Sequence, residues 1–341
     1  MFGGNMQKHA NIPIFIPHLG CPNDCVFCNQ RTISGHNSFN PDTVKTEIDT
    51  ALATLGDRQA EIAFFGGSFT GIDRSLMIYL LDTAENYVNS GKVTGIRLST
   101  RPDYIDDEIL AILKKYTVNA VELGIQSTSD KVLSASKRGH TAAVSEKAAK
   151  AVVGSGFNFV GQMMIGLPAS TPEDEIKTAL DICRFGAVAA RVYPTVVFKK
   201  TELCSMAQNG AYAPLDNESA VKRTADVLDV FDKNSVDVIR VGLCASDNLA
   251  SDEEVWGGAN HPALGELAMS ELFLRRISEV LDNTATNGKN AVICAPKGAI
   301  SKVVGQKRRN ITHIREKYGV NIVKILEKND IFGYNILIDY I

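Results

Sequence analysis

Residues 15–30 read FIPHLGCPNDCVFCNQ and place Cys21, Cys25 and Cys28 within eight positions of a 341-residue chain that has seven cysteines. The spacing is Cys-x3-Cys-x2-Cys. It directly follows an apolar run at residues 12–17, which predicts the first β-strand. Three thiols gathered in one loop indicate a site for a metal or for redox chemistry, because the rest of the chain is sparse in cysteine.

Three chemistries compete for this loop. A structural zinc site usually has four nitrogen or sulfur ligands in closed pairs, and the fourth is missing here. A redox pair is formally present at Cys25 and Cys28, but it leaves Cys21 without a role. Thiolates are the usual ligands of 4Fe–4S clusters, and an open coordination position is typical of reactive metal sites. The spacing favours a cluster with three thiolates and one open iron, with zinc or a chance grouping of cysteines as the alternatives.

Short apolar runs alternate with helical patterns along the first two-thirds of the chain. Strands are predicted over residues 12–17, 61–67, 95–101, 120–127, 157–166 and 190–198, and helices between them, such as 42–56, 74–90 and 173–186. Strands that are apolar on both faces and alternate with helices indicate a parallel sheet. About six such units predict an α/β fold with a partial parallel (βα)6-type barrel, since a full eightfold barrel needs about 250 residues. The cysteine loop would then lie at the carboxyl-terminal mouth of the barrel.

The cysteine spacing after a first strand resembles the signature of the radical S-adenosylmethionine (SAM) superfamily, and Phe27 also matches it. The resemblance implies that Cys21, Cys25 and Cys28 hold a 4Fe–4S cluster whose open iron takes the amino and carboxylate groups of SAM. It implies that an electron donor such as flavodoxin or ferredoxin reduces the cluster. SAM is then cleaved to methionine and a 5′-deoxyadenosyl radical, which abstracts a hydrogen atom from the substrate.

Further motifs resemble, in family order, the branch that contains the Elongator catalytic subunit and oxygen-independent coproporphyrinogen oxidase. They are FFGGSFTG (64–71), RLSTRPDYID (97–106), VELGIQS (121–127), SKRGHT (136–141) and GQMMIGLP (161–168). The resemblance implies that SAM is contacted by residues from each of them, together with Phe27: Gly66, Gly67, Ser99, Glu122, Ser127, Arg138, Gln162 and Ile165.

The implied roles have structural alternatives. The Gly66–Gly67 pair lets the backbone approach the methionine end of SAM, or serves a tight turn with positive φ. Glu122 meets the ammonium of SAM, or pairs with a Lys or Arg at the mouth, since a buried carboxylate needs a partner. Arg138 would clamp a carboxylate with its planar fork, or is a surface cation. By resemblance, Gln162 serves the ribose and Ile165 the adenine.

The polar stretch DNTATNGKN (282–290) predicts a linker. We therefore divide the chain into a core barrel (1–215), an extension of the core (216–285) and a C-terminal module (286–341). The last segment reads strand, helix, basic turn, helix, strand and resembles a KH-like module, which binds single-stranded nucleic acid. The resemblance implies RNA contacts from Gly305, Lys307, Arg308 and Arg309, although an arginine replaces the final glycine of the Gly-x-x-Gly loop. A solvated helical face is the alternative.

Composition gives few further constraints. The net charge is −3 and 45 % of the residues are hydrophobic, as in an ordinary globular protein. No secretory signal is recognisable, and no apolar run approaches the ~20 residues that span a bilayer. A cytoplasmic protein with no membrane partner is expected. The scattered cysteines predict buried structural thiols, with an auxiliary cluster as the alternative: Cys183, Cys204, Cys244 and Cys294.

Two enzymatic functions follow from these resemblances. The first is modification of RNA, with tRNA as the expected substrate. We do not expect this chain to carry out the acetyl-CoA-dependent reaction of Elongator, because the sequence after residue 290 leaves no room for an acetyltransferase domain. The second is a small-molecule enzyme resembling coproporphyrinogen oxidase, in which Lys199 and Lys200 would bind propionates. A third hypothesis is a cluster-bearing RNA-binding protein that does not cleave SAM.

Overall fold

The computed structural model describes residues 10–16, 19–21, 25–29, 39–56, 58–243, 254–283 and 288–341. Its main element is a seven-stranded sheet in the order β1-β2-β3-β4-β5-β6-β8, and every pair of neighbours is parallel. The first six strands are neighbours in chain order, which is the winding of a βα barrel. Strands β1 and β8 do not pair with each other, so the sheet is an open half-barrel. The α/β partial barrel is confirmed.

The main sheet comprises β1 (Ala10–Ile16), β2 (Ala60–Gly66), β3 (Gly95–Thr100), β4 (Val118–Gln126), β5 (Asn158–Ile165), β6 (Ala189–Pro194) and β8 (Asp237–Val241). Its helices are α1 (Val44–Leu55), α2 (Arg74–Asn89), α3 (Asp107–Leu113), α4 (Asp130–Ala135), α5 (Ala142–Gly154), α6 (Pro172–Arg184), α7 (Glu202–Gln208) and α8 (Asn217–Lys233). Three 3-10 turns lie among them, at Pro41–Thr43, Phe69–Gly71 and Pro102–Tyr104.

The two faces of the main sheet differ in polarity. On the helix side the strands contribute a large apolar cluster that includes Ile14, Phe64 and Val121. On the concave side, charged residues such as Arg97 and Glu122 alternate with those apolar positions, because successive side chains of a strand point to opposite faces. Burial of the apolar face fixes the register of each strand, since a one-residue slip would invert both faces.

The predicted strand at residues 190–198 is two strands in the structure. Thr195 divides β6 from β7 (Val196–Phe198), and its backbone N–H and its hydroxyl both donate to the Ile165 carbonyl, at 2.9 and 2.7 Å. Strand β7 leaves the main sheet and pairs antiparallel with β9 (Val255–Gly258). This small ribbon lies beyond the carboxyl end of β6, on the side of the cysteine loop.

The C-terminal segment contains the predicted order of elements and an additional strand. Strands β10 (Asn290–Pro296), β11 (Asn321–Lys328) and β12 (Leu337–Tyr340) form a sheet with β10 in the centre. Helices α10 (Ile300–Val304) and α11 (Arg309–Tyr318) are separated by a 3-10 turn at Gln306–Arg308. The secondary-structure order therefore matches the sequence prediction, whereas the KH-like character of the module stays a prediction.

Helix α9 (Leu264–Asp282) packs against α8 and against helices α10 and α11 of the C-terminal module. Its residues Phe273 and Ile277 belong to the same hydrophobic cluster as Ile293 of β10 and Ile314 of α11. The cluster thus crosses the predicted boundary at residues 285–286. Helix α9 is the element through which the C-terminal module is fastened to the barrel.

Replacing Phe273 by alanine should lower the free energy of unfolding by about 3–5 kcal/mol, because it leaves a cavity in this cluster. Phe273 is 2 % exposed, and its ring lies 5.0 Å from that of Tyr334. Urea unfolding followed by circular dichroism measures the change. Phe332→Ala is the matched control, since Phe332 is 65 % exposed. An equal loss of stability in the two variants would contradict the proposed packing.

Candidate active site at the cysteine loop

The cysteine loop follows β1 and is held to neighbouring segments by backbone hydrogen bonds. The Val26 N–H donates to the Ser136 carbonyl at 3.2 Å, and the Val26 carbonyl accepts from the Leu203 N–H at 2.8 Å. The side chain of Val26 is buried with Val197, Leu203 and Tyr212, and the half-buried Phe27 packs against the same cluster. Cys25 and Cys28 flank this anchor, so the apolar residues between them fix where their thiols lie.

The glycines at the end of β2 allow the loop that follows this strand to contact the cysteine loop. The Gly67 N–H donates to the Ile16 carbonyl at 2.8 Å, and a Cβ added to Gly67 would stand 2.2 Å from the Leu19 carbonyl oxygen. Gly66 has φ +111°, which disfavours other residues. The structure therefore gives Gly66 and Gly67 a role in seating the cysteine loop. Their contact with SAM stays a prediction.

A buried arginine stands beside the cysteines. Arg138 is 7 % exposed; its Nη1 donates to the Cys25 sulfur at 3.4 Å and its Nη2 to the Gly124 carbonyl at 2.6 Å. A Cβ on Gly124 would lie 2.8 Å from Nη2, so the glycine of the β4 motif makes room for the guanidinium. The Nε atom of Arg138 is buried without a hydrogen-bond partner, and no carboxylate of the described residues pairs with this side chain.

A second buried arginine holds the first one in place. Arg101 donates through Nη2 to the backbone carbonyl of Arg138 at 2.8 Å, and it makes a two-point ion pair with Asp103 at 2.9 and 2.7 Å. The hydroxyl of Ser68 accepts from the Arg101 N–H at 3.2 Å. The cysteine loop therefore faces two guanidinium groups, only one of which has a carboxylate partner among the described residues.

The thiols of the cysteine loop are ligands of the type that an iron–sulfur cluster requires. The described cysteines are all free thiols. Burial raises the pKa of the Cys21 thiol above its ordinary value, whereas the positive charges of Arg138 and Arg101 act in the opposite direction. A buried cation that has no carboxylate partner among the described residues and lies beside a thiol suits a group that is itself anionic. In the part of the chain that the structure describes, no three His, Cys, Asp or Glu side chains converge as a preformed metal site. The three thiols thus share one loop without forming a preformed site among the described residues.

Glu122 lies on the concave face of the sheet in an ion-pair ladder. Its side chain is 1 % exposed; Oε1 accepts from Arg97 at 2.9 Å, and Oε2 lies 2.7 Å from Nε of Arg191. Arg97 also pairs with Glu61 at 2.8 Å, and the guanidinium of Arg191 lies 5.1 Å from the centre of the Phe65 ring. The structure thus shows the pairing with arginine that was the alternative for Glu122. A contact with the ammonium of SAM stays a prediction.

The remaining predicted SAM contacts divide between the two faces. Ser99 and Gln162 are half-buried on the concave face, where Ser99 is in register with Glu122, and Gln162 with Arg191. Ser127 lies towards the helix layer: its hydroxyl accepts from the Ser129 N–H at 3.1 Å and lies 3.5 Å from that of Thr178. Ile165 is fully buried in the main apolar cluster. As side chains that could contact SAM from the concave face, Ser99 and Gln162 are better placed than Ser127 and Ile165. The contacts of all four residues with SAM stay predictions.

The predicted RNA contacts form a basic turn on the C-terminal module. Lys307, Arg308 and Arg309 are exposed, and only Arg309 approaches a carboxylate among the described residues, Glu271 at 4.0 Å. Gly305 has φ +76°, and a Cβ there would lie 2.9 Å from the side chain of Asn310. Gly305 thus shapes the turn and is buried, whereas the three basic residues face solvent. RNA binding by this turn stays a prediction.

Comparison with known proteins identifies the family. The profile described as the radical SAM superfamily matches residues 15–182, and the radical SAM C-terminal domain matches residues 188–273. The chain belongs to the radical SAM superfamily. It is therefore an enzyme of a superfamily whose cofactors are a 4Fe–4S cluster and SAM.

Individual relatives agree with the Elongator-like resemblance. An uncharacterized protein of Methanocaldococcus jannaschii is 30 % identical, over 65 % of this chain and 72 % of its own length. The tRNA uridine(34) acetyltransferase of the same organism is 31 % identical over 41 % of this chain, but the match spans only 26 % of the acetyltransferase. The archaeal Elp3 structure from Methanocaldococcus infernus superposes with a TM-score of 0.63 at 21 % identity, covering 78 % of this chain and 63 % of that one. That structural likeness concerns the fold.

Sequence reasoning missed several residues of this site. Arg97, Arg191 and Gly124 were not predicted to line it, although each lies on the concave face in register with a predicted residue or two positions from one. The period of two along β3 and β4, continued from Ser99 and Glu122, could have found Arg97 and Gly124. Cys244 lies outside the described residues. No described helix has the length and apolar character needed to cross a membrane.

Replacing Glu122 by glutamine should lower the free energy of unfolding by about 3–5 kcal/mol, because Arg97 and Arg191 would lose a buried counter-charge. Glu108→Gln is the matched control. Glu108 is 71 % exposed in its ion pair with Arg74, so its loss should cost less than about 1 kcal/mol. Chemical denaturation of both variants measures the difference, and equal small losses would contradict the buried ladder.

Stability should fall as the pH falls from about 6.5 to 4, because burial lowers the pKa of His140 to about 4 and Arg138 acts in the same direction. The unfolded chain takes up a proton near pH 6.5, whereas the folded chain does not until about pH 4. Between pH 7 and pH 5, the wild type should lose about 2 kcal/mol more than a His140→Gln variant in urea unfolding. Parallel pH profiles of the two proteins would contradict the assignment.

Proposed function

We propose that Cys21, Cys25 and Cys28 hold a 4Fe–4S cluster, and that SAM binds at its open iron beside Arg138. Held by these thiolates, the cluster would supply the one-electron reduction by which SAM is cleaved. The observation that carries this proposal is the buried Arg138, whose guanidinium reaches Cys25 while its Nε has no partner. A buried cation with unused donor capacity suits the carboxylate of an anionic ligand.

The residues of this chain would bind SAM, orient it and exclude water from the site. Arg138 is held by the Gly124 carbonyl and, at its backbone, by Arg101, so the direction of its unpartnered Nε–H is fixed. Glu122 is held between Arg97 and Arg191 on the concave face, so an ammonium would have to share its carboxylate with these two cations. Val26 and Phe27 pack an apolar layer behind the thiols, which limits access of water to that side. We propose a small electron-transfer protein such as flavodoxin or ferredoxin as the reductant.

We propose RNA, and specifically tRNA, as the substrate. Two features support this substrate class: the curated relatives include tRNA uridine(34) acetyltransferases, and the turn with Lys307, Arg308 and Arg309 presents three exposed cations in a chain of net charge −3. Such a patch would neutralise phosphates, and its affinity would fall with increasing salt. The acetyl transfer named for those relatives is not part of the proposal.

The test is anaerobic reconstitution with iron and sulfide, followed by dithionite and SAM, with 5′-deoxyadenosine as the measured product. Bulk tRNA should increase the rate, and Lys307→Ala/Arg308→Ala should remove the increase while leaving the basal rate unchanged. Lys114→Ala/Lys115→Ala is the control, because these two exposed lysines precede β4 at the opposite end of the strands. Cleavage that is indifferent to tRNA would contradict the substrate class, and a fully loaded protein that cleaves no SAM would contradict the radical chemistry.

A further inference from the structure

A groove of about 540 Å³ lies beside the cysteine loop, between α7 and the ribbon of β7 and β9. Helix α7 forms one wall and contributes Cys204, Ser205 and Gln208, and the ribbon side contributes Lys199, Lys200 and Trp256. The same helix also borders the cysteines, because the Leu203 N–H donates to the Val26 carbonyl and both side chains share one buried cluster. The groove is therefore separated from the thiols by a single short helix.

Trp256 is the only tryptophan of the chain, and it is 40 % exposed. It lies in a β-bulge: Val197 is in register with Gly257 and Phe198 with Val255, so Trp256 is the additional residue of its strand. A bulge re-aims a side chain and is often found next to functional sites. Because Trp256 is not paired in the β7–β9 ribbon, its indole lines the groove and has a large aromatic surface in contact with solvent.

Two consecutive lysines follow β7, at the end of the ribbon that carries Trp256. The Lys199 N–H donates to the Glu254 carbonyl at 2.8 Å, which fixes the lysine pair opposite the segment that carries Trp256. Lys200 has φ +62°, an unusual conformation for a non-glycine residue. Lys200 is exposed and makes no ion pair with a carboxylate in the described ranges. Glu202, the acidic residue of this groove, pairs instead with Lys137 at 2.6 Å.

We propose that this groove is a nucleotide subsite, in which Trp256 stacks on an unpaired base of RNA and Lys199 and Lys200 contact the adjoining phosphates. An aromatic face with neighbouring cations is the combination that binds single-stranded nucleic acid without reading its sequence. The inference rests on the proposed function, since it places part of an RNA substrate next to the cysteine loop. It is independent of the basic turn in the C-terminal module.

The single tryptophan allows a direct test on the full chain. Intrinsic tryptophan fluorescence is titrated with a short single-stranded RNA of about four nucleotides, a length that one such site accommodates. Stacking should quench the emission, and polyphosphate of matched charge should leave it largely unchanged. In a parallel measurement, the anisotropy of labelled RNA should show a roughly ten- to hundredfold weaker affinity for Trp256→Ala and near-normal affinity for Trp256→Phe.

Lysine variants test the phosphate contacts. Lys199→Ala/Lys200→Ala should reduce the slope of log affinity against log salt by about 1.4, corresponding to two phosphates of a single strand. Lys114→Ala/Lys115→Ala, a matched exposed pair, should leave the slope unchanged. Equal quenching by polyphosphate would overturn the stacking contact. Quenching by an anionic tetrapyrrole but not by RNA would overturn the substrate class in favour of a small molecule.

The test separates this inference from the proposed function. Quenching is measured without SAM, so it does not depend on radical chemistry. If Lys307→Ala/Arg308→Ala abolishes the stimulation by tRNA while RNA still quenches Trp256, the subsite is supported independently of the basic turn. If tRNA stimulates SAM cleavage but short RNA neither quenches Trp256 nor loses affinity in Trp256→Ala, the proposed function stands and the subsite is wrong.

Discussion

The guanidinium of Arg138 joins parts of the molecule that are far apart in the sequence. It donates to the Cys25 sulfur in the loop after β1 and to the Gly124 carbonyl in β4. Arg101, just after β3, donates to the backbone carbonyl of Arg138. Burying an arginine is costly unless its donors are used. The residues around it are therefore constrained together: Gly124 must lack a side chain, and the cysteine loop must stay close to the strand ends.

On the polar concave face of the sheet, too, buried charged side chains are paired with one another. Arg97 and Arg191 hold Glu122 between them, and Glu61 holds Arg97 from the other side. A ladder of this kind gives little net stability compared with an apolar core, but breaking it leaves an uncompensated buried charge. The half-barrel thus has an apolar outer layer, which determines the fold, and a charged inner face, which is available for a charged ligand.

Most of the fold could be predicted from the sequence, because alternating apolar runs and helical patterns report directly on a parallel sheet. Pro194 signals a break in ARVYPTVVF, which the prediction of one strand over residues 190–198 overlooked. Nothing in the stretch signals that its last residues pair with β9, about sixty positions later. The three cysteines were recognised from their spacing alone. The partners of Glu122 and the bulge at Trp256 depend on register between distant strands, which local patterns do not contain.

The most direct test of the cluster site compares two triple variants by iron content and electron paramagnetic resonance. Reconstituted wild type should bind about four iron atoms per chain, and its reduced spectrum should change when SAM is added. Cys21→Ala/Cys25→Ala/Cys28→Ala should lose the iron and the signal, whereas Cys183→Ala/Cys204→Ala/Cys294→Ala should keep both. Iron retained by the first variant, or lost by the second, would contradict the assignment of the cysteine loop as the cluster site.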